Sequence, residues 1–453
     1  MLIRGLGEGN MTVQKYSVKD LVRFGENVLL AAGFTPKQAE AVTRVLVDAD
    51  LRGDPAHGLT GGNSLEEFIA KVYDDEAEFG FRRIEICDYE VDAQKYPTII
   101  TVDAKGTLGH YVALEIIPEV IKIAKKYGYA KAYIRNSTHF GDCAIYSEII
   151  AAKDLAAKVT CTSAAFSKPF IELQDKKNPE ASVNRRRYDG VKKRFGTNPI
   201  AWSIPYAGGI ATIDMAATQR AVSPAIETAK FNTQTLGIIQ KPDGSFFLPV
   251  ADRFVMLADL HLSAARADSA EGVLKALGIK REIGLVAVEK GLLKGPEGED
   301  INYPLAYDDV FKKHFWIAPL GGTYFGYKGF GLNMLIELDN VLGGGVPGLI
   351  RELNEKGQPT TLERVSQTIE AYAIDAVMPL EQAKQEIKKS IETTLACGNQ
   401  LMFVPGQKEQ ETKMRLLKEG IPLNAARIDL LKRVAAHPRV KLPFDLVPVG
   451  QNG

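Results

Sequence analysis

Two segments with histidine offer groups that transfer protons near neutral pH. The first is Arg135–Gly141, where Ser137 and His139 lie between an apolar run and a helical pattern. A strand-to-helix turn of this kind combines an imidazole, a hydroxyl and the free N–H groups of a helix N-terminus. These groups suit a phosphate, a carboxylate or a reacting carbonyl. A single histidine in a turn is more often structural than catalytic, so the rest of the chain must decide.

The second segment runs from Asp50 to Gly58 and contains Arg52, Asp54 and His57. Charged groups, a proline and two glycines crowd one turn, which fits a polar surface turn and an active-site loop equally well. Asp54 is close enough in the sequence to orient the His57 imidazole. The six histidines of the chain show no HxH or HExxH spacing, so we predict no metal site.

Composition describes an ordinary globular chain. Its 453 residues are 45% hydrophobic and 25% charged, which is enough for two or three domains. The 56 basic and 56 acidic residues leave no net charge to attract nucleic acid or a membrane surface. No apolar run reaches the roughly 18 residues of a membrane span, no signal peptide is evident, and the four cysteines are widely spaced. We therefore expect a cytoplasmic protein with a small-molecule partner.

The elements around these segments have clear local signals. Ser17 with Asp20 predicts a capping box at the start of a helix, and Thr35, Pro36 and Gln38 predict the start of another. A helix bent at a proline is predicted over residues 109–124. Predicted strands cover residues 81–91, 98–102, 132–134, 157–162, 200–204 and 210–213.

Residues 319–331 contain five glycines around Lys328 and are followed by an apolar helix, Leu332–Leu342. Glycine density lets a backbone approach a ligand, and a lysine in such a loop suits a phosphate. Neither the GxxxxGK[ST] pattern nor a Rossmann fingerprint is present. We predict a loop here.

Six motifs together resemble the malate/L-lactate dehydrogenase family, which also holds ureidoglycolate dehydrogenase, sulfolactate dehydrogenase and cyclic imino-acid reductases. The motifs are Arg52-Gly53 with His57-Gly58, Asn136-Ser137 with His139-Phe140-Gly141, Gly196-Thr197-Asn198-Pro199, Asp214-Met215-Ala216, Pro319-Leu320-Gly321-Gly322 with Gly326-Tyr327-Lys328-Gly329, and Val404-Pro405-Gly406. They keep the family's order and approximate spacing over most of residues 17–435.

The resemblance implies an α/β (α+β) fold with a non-Rossmann cofactor domain, whose sheet is largely antiparallel, and a helical domain built from both chain ends. We predict that residues 1–80 and 405–453 form the helical substrate and dimer domain. Residues 81–404 then form the nicotinamide-cofactor domain, with an inserted loop at 167–194. Family members are typically homodimers with active sites near the subunit interface.

Carried over residue by residue, the resemblance implies that His57 and His139 are catalytic, at the substrate and the nicotinamide. The implied cofactor contacts are His139, Ser163, Asp214, Met215, Ala216, Lys328, Gly406 and Gln407. On the substrate side we predict Arg52, Asp54, Thr197 and Asn198. The cofactor is NAD or NADP, between which the sequence does not distinguish.

The substrate side departs from the family at Ser223-Pro224, which replace a substrate-facing turn, and at two positions beside the first histidine. The family often has a serine before the first histidine and an arginine four residues after it, as a carboxylate clamp; this chain has Ala56 and Gly61. A substrate carboxylate therefore needs another partner, for which Arg52, Arg135 and Arg185–Arg187 are available.

The predicted reaction is hydride transfer between nicotinamide and a 2-oxo or 2-hydroxy acid, with His57 or His139 as the proton donor. The main alternative is a reductase of a cyclic imine or another C=N or C=O group. A non-catalytic relative that binds a metabolite is the second alternative, and the presence of both histidines disfavours it.

Overall fold

The structure is a computed structural model that describes residues 13–62, 64–73, 84–163, 194–218, 239–240, 246–247, 319–320, 322–345, 365–398 and 402–450. Its helices are α1 (Val18–Ala31), α2 (Pro36–Arg52), α3 (Leu65–Tyr73), α4 (Gly109–Tyr127), α5 (Cys143–Ala151), α6 (Gly322–Leu342), α7 (Leu380–Ala396), α8 (Gln407–Glu419) and α9 (Ala425–Ala436). Its strands are β1 (Gln14–Tyr16), β2 (Glu90–Val91), β3 (Ile99–Asp103), β4 (Tyr129–Ser137), β5 (Leu155–Cys161), β6 (Ile200–Tyr206), β7 (Gly209–Met215), β8 (Ile239–Gln240), β9 (Phe246–Phe247), β10 (Val365–Ala373) and β11 (Ile421–Leu423).

Seven of the described strands form one sheet in the order β2-β3-β4-β10-β5-β6-β7. β2 is antiparallel to β3, β3 is parallel to β4, and the short connection between β6 and β7 makes them a hairpin. The fold is mixed α/β with mostly antiparallel strands, which confirms that part of the predicted fold class. The strand predicted over 81–91 was too long, because its described part is regular only at β2.

The first two helices begin where the sequence predicts. The Ser17 hydroxyl accepts the Asp20 N–H, and Thr35 and Gln38 form both halves of a capping box with Pro36 at the first helical position. These local signals therefore place the start of α2, and the loop that contains His57 follows the other end of that helix.

The predicted strand-to-helix turn is also confirmed. β4 ends at Ser137, α5 begins at Cys143, and His139 lies on the connection between them. Gly141 has a φ of 79°, the left-handed conformation that a residue without a Cβ adopts at little cost.

The predicted glycine-rich loop around Lys328 is wrong, because α6 already begins at Gly322 and Lys328 lies inside it. A Cβ at Gly329 would lie 2.3 Å from the Leu320 backbone nitrogen and oxygen. This glycine thus permits the preceding backbone to pack against the helix.

The chain divides into two compact units. Unit 1 contains Met1–Val159, Ala201–Asp214 and Ile369–Gly453, and unit 2 contains Thr160–Ile200 and Met215–Thr368. Unit 1 thus contains both chain ends together with residues 81–159. The sequence analysis predicts residues 81–159 in the cofactor domain. The predicted functional assignment of the domains stays a prediction. The predicted loop 167–194 lies outside the described residues apart from Arg194.

Within the described ranges, none of the helices is both long enough and apolar enough to cross a bilayer.

Candidate active site

The loop after α2 carries the first predicted histidine. Gly53 ends α2 in a left-handed conformation, Asp54 follows, and His57 lies three residues further on. The His57 Nδ1 atom lies 2.7 Å from Asp54 Oδ2 and 2.8 Å from Asp142 Oδ1. Since Asp142 directly precedes α5, two distant segments of unit 1 meet at this imidazole. The His57 side chain is only 15% exposed.

The two carboxyl groups control the protonation of His57. Burial alone would lower the His57 pKa, but the charges of Asp142 and Asp54 outweigh burial and hold that pKa well above its usual value. Burial raises the pKa of Asp142, whereas the His57 charge outweighs burial at Asp54 and lowers the pKa of that carboxyl. The pKa values of the two carboxyl groups thus shift in opposite directions, and the charges of both favour the charged form of His57. His57 is an imidazolium at neutral pH, and its Nε2 proton is the one available for transfer.

The pKa of His139 is shifted in the opposite direction. Its ring is stacked on the His57 ring, with centroids 5.6 Å apart and planes 7° from parallel. Burial, and then the His57 charge, hold the His139 pKa well below its usual value. Its Nδ1 accepts the Gly141 backbone N–H at 3.2 Å, so the proton of the neutral ring lies on Nε2. His139 is thus a neutral hydrogen-bond donor.

A third histidine, His110 on α4, extends this cluster and was missed by the sequence analysis. It is 0% exposed, its ring meets Phe68 edge-on at 5.4 Å, and its centroid lies 6.2 Å from that of His139. Burial lowers the His110 pKa to about 3. The sequence pattern around it indicates only another buried helical position, so no signal distinguished it.

Asp214 lies beside the same carboxyl groups. Its Oδ2 accepts the Ala144 backbone N–H in the first turn of α5 at 2.6 Å. Burial, and then the charge of Asp142, raise the Asp214 pKa to about 7. Its predicted contact with the cofactor stays a prediction, and its side chain already holds the helix that follows Asp142.

Two of the three candidate carboxylate clamps are engaged in ion pairs. Arg52 donates from Nη1 and Nη2 to Glu148 and from Nε to Asp48, and its side chain is 6% exposed. Arg135 pairs with Asp92 and with a second aspartate on β3. These contacts argue against a substrate role for Arg52. The third candidate, the arginine cluster at 185–187, lies outside the described residues.

Within unit 2 the structure brings Ser163, Thr197 and Asn198 together. Asn198 Oδ1 accepts the Ser163 N–H at 3.0 Å, and Ser163 Oγ accepts the Thr197 N–H at 2.8 Å. Asn198 Nδ2 donates to Asn333 Oδ1 at 2.6 Å, a partner on α6 that the sequence analysis missed. Asn198 is 0% exposed with a φ of 35°, so its amide holds a strained turn. This argues against the predicted contact between Asn198 and substrate.

The remaining predicted cofactor residues lie on different elements. Met215 ends β7 with Ala216 directly after it, and Lys328 is exposed on α6. Gly406, with a φ of 84°, precedes α8, and Gln407 is the first residue of that helix. Met215, Ala216 and Lys328 belong to unit 2, and the other two belong to unit 1. Their contacts with a cofactor stay predictions.

Asp54, His57 and Asp142 also have the donor types of a metal site. One ligand atom from each lies within 4.8 Å of the others. Direct hydrogen bonds between the imidazole and the two carboxyl groups already pair these atoms. The cluster therefore has an explanation that needs no metal.

Comparison with known proteins confirms the resemblance found in the sequence. The family model described as malate/L-lactate dehydrogenase matches residues 16–236 and 287–432. The malate dehydrogenase of Pyrococcus horikoshii is 23% identical over 424 residues, which cover 92% of this chain and 93% of that protein. Ureidoglycolate dehydrogenase (NAD(+)) of Escherichia coli O157:H7 is 28% identical over 220 residues, covering 48% of this chain and 55% of that protein.

Solved structures show the same fold. The structure of the Pyrococcus horikoshii malate dehydrogenase has a TM-score of 0.65 at 20% identity and covers 98% of this chain and 99% of that one. Delta1-piperideine-2-carboxylate reductase from Pseudomonas syringae has a TM-score of 0.62 at 19% identity, covering 93% of this chain and all (100%) of that one. Identities this low support the fold and leave the substrate open.

Proposed function

We propose that this chain, which belongs to the malate/L-lactate dehydrogenase family, transfers a hydride between NAD or NADP and a 2-oxo or 2-hydroxy acid. The chain is an oxidoreductase. The observation that carries the proposal is the His57 imidazole, which contacts Asp54 and Asp142 through Nδ1 and stacks on His139. A family homodimer with active sites near the subunit interface is part of the same proposal.

One helix start fits a dinucleotide. α8 begins at Gly406 without a side-chain cap, and a Cβ at Gly406 would lie 3.0 Å from the Thr212 carbonyl oxygen. Uncapped N–H groups at a helix start suit a phosphate, so we assign Gly406 and Gln407 to the cofactor phosphates. We assign a further set to the rest of the cofactor, namely His139, Ser163, Asp214, Met215, Ala216 and Lys328. When bound, the nicotinamide supplies or accepts the hydride.

His57 supplies the proton. Reduction of a carbonyl develops negative charge on its oxygen, and the Nε2–H of a histidine with a raised pKa donates a proton there. Asp54 and Asp142 stabilise the imidazolium before transfer and fix its ring orientation through Nδ1. After transfer the ring keeps its Nδ1 proton and stays bonded to the carboxyl groups, so its position is preserved for the next turnover.

His139 has a different task. Its pKa is too low for it to be charged at neutral pH, so it does not act as the acid. Its Nε2–H offers a hydrogen bond to a substrate or cofactor oxygen without giving up the proton, and donors of this kind stabilise developing charge. The stacked pair therefore divides proton transfer and hydrogen bonding between two imidazoles.

The test is oxidation of NADH or NADPH against a panel of 2-oxo acids and cyclic imino acids. His57→Ala and His139→Ala should each lower turnover by about 10² or more, because a positioned acid or donor contributes on that scale. His437→Ala is the matched control, since that histidine directly follows α9 and its side chain accepts the Arg439 backbone N–H at the surface of the described structure. Full turnover in both site variants would overturn the mechanism.

A second candidate function is reduction of a cyclic imine or another C=N or C=O group. A Cβ at Gly61 would lie 2.1 Å from the Ala56 carbonyl oxygen, so this loop conformation admits no side chain where the family often has its arginine. A substrate without a simple carboxylate clamp is consistent with that geometry. Turnover of imino acids, with none of pyruvate or oxaloacetate, would favour this candidate over the first.

A further inference from the structure

A buried carboxyl group lies against the loop that carries His57. Asp50, on the last turn of α2, is 4% exposed, and its Oδ2 accepts the Leu59 backbone N–H at 2.9 Å. Its Oδ1 has no hydrogen-bond partner in the part of the chain that the structure describes. Burying a carboxyl group costs free energy that only nearby donors and charges offset. Burial of Asp50 is therefore costly on a helix whose buried residues are mostly apolar.

Gly58 shows how closely this carboxyl group meets the loop. A Cβ at Gly58 would lie 2.0 Å from Asp50 Oδ1 and 2.3 Å from Asp50 Cγ. Real Cβ atoms do not approach other atoms this closely, so the position of the Asp50 carboxyl group leaves room only for a glycine at residue 58. The residue directly after His57 is thus packed on Asp50, and the next residue is hydrogen-bonded to it.

Arg427 holds the two ends of the same loop from α9. Its Nη1 donates to the Pro55 carbonyl oxygen at 3.3 Å and to the Thr60 hydroxyl. Arg427 is 7% exposed, and the charges of Asp50 and Asp54 favour its charged form against the effect of burial. A buried carboxyl group, whose pKa burial raises to about 7, and a buried guanidinium therefore contact the six residues Pro55–Thr60 that include His57.

We propose that Asp50 and Arg427 are positioning residues that hold the Pro55–Thr60 loop so that His57 meets Asp142; this rests on the proposed function. The Asp54 contact to His57 lies within one turn and follows the loop if the loop moves. The Asp142 contact is made to the start of α5 and depends on where the loop stands. Asp50 on α2 and Arg427 on α9 together fix the position of the loop.

Substitutions at Asp50 test the inference, because a loss of positioning should change kcat much more than KM or the affinity for the cofactor. Asp50→Ala should lower kcat by about 10- to 100-fold, the cost of a small misplacement, with KM and cofactor affinity changed about twofold or less. Asp50→Asn should retain most of the kcat, because its side-chain oxygen still accepts the Leu59 N–H. Equal losses in the two variants would show that charge, and not positioning, is what Asp50 provides, and would overturn the inference.

The close contact with Gly58 gives a second, independent test. Gly58→Ala alone should lower kcat, because the added Cβ collides with the carboxyl group. Combined with Asp50→Ala, the same substitution should cost little more, because its collision partner is gone. Losses that simply multiply would contradict the packing argument, and this cycle also serves if Asp50→Ala alone folds poorly.

Arg427→Ala should likewise lower kcat, and Arg433→Ala on the same helix should not, since Arg433 pairs with Glu66 at the surface. The His57 ring signal in an NMR spectrum of selectively labelled protein gives a readout that needs no substrate. It should shift in Asp50→Ala and Arg427→Ala and stay unchanged in Arg433→Ala. An unchanged signal overturns the inference whatever the activity, whereas shifted signals in a wild-type chain that turns over no substrate overturn only the proposed function.

Discussion

Replacement of the anion beside His57 should change the pH dependence of reduction. In Asp54→Asn the side chain keeps its size and loses its charge, while Asp142 stays in place. The pKa of His57 should fall, because the carboxylate 2.7 Å from its Nδ1 is one of the two charges that raise it. The kcat/KM for reduction depends on the protonated ring, so it should begin to fall at a lower pH than in the wild type.

The size of the shift follows from the contact that is lost. A hydrogen bond between charged groups is worth about 1.5–3 kcal/mol, and one pKa unit corresponds to about 1.4 kcal/mol. The inflection in kcat/KM should therefore move down by about 1–2 pH units. The kcat/KM of the wild type should fall as pH rises through the His57 pKa, because His57 stays protonated up to that pH.

Asp142→Asn is the matched second variant. The charge of Asp142 is the larger of the two that raise the His57 pKa, so the profile of this variant should also move to lower pH. The assay is the initial rate of NADH or NADPH oxidation between pH 5 and 10 at limiting substrate. Identical inflections in the wild type and Asp54→Asn would refute the assignment of His57 as the acid.

Three further predictions concern groups around the site. Dialysis against a chelator should leave turnover unchanged, and a loss that a divalent cation restores would instead make the His57 cluster a metal site. The pKa of His110 is about 3 in the folded chain against 6.5 as its ordinary value, so the unfolded state binds more protons between these values. The free energy of unfolding should therefore fall with decreasing pH by up to about 1.4 kcal/mol per pH unit because of this residue. In denaturant titrations, the free energy of unfolding of His110→Leu should depend less on pH than that of the wild type. Lys328→Ala should weaken cofactor binding in calorimetry and leave the melting temperature unchanged, since the side chain is exposed on α6; unchanged affinity would reject its assignment.

Local signals in the sequence were sufficient for the elements that position the histidines. The capping residues at Ser17 and Thr35 act within one turn of chain, and so does the left-handed Gly141. Such contacts depend on neighbours in sequence, so they are readable without the fold. His57 and His139 were identified through motifs built on these elements, and the structure brings their rings together.

The residues that the sequence did not indicate depend on contacts between distant segments. Asp142 meets His57 across 85 positions of chain, and Asn333 meets Asn198 across 135. Gly329 beside Lys328 misled for the same reason, because it packs closely against the Leu320 backbone. A pattern shows which residue types are present, whereas only the fold shows which backbone or side chain each one faces.

The electrostatics of the site also bear on the direction of the proposed reaction. Reduction of C=O or C=N consumes a proton, and an imidazolium stabilised by carboxyl groups already holds it at neutral pH. Oxidation needs the neutral ring first, and each unit by which the His57 pKa exceeds the pH costs about 1.4 kcal/mol before the reaction begins. Because two aspartates raise that pKa while His139 stays neutral beside it, the site favours reduction under neutral conditions. This holds for a 2-oxo acid and for an imine alike, since both products gain their proton from the same Nε2.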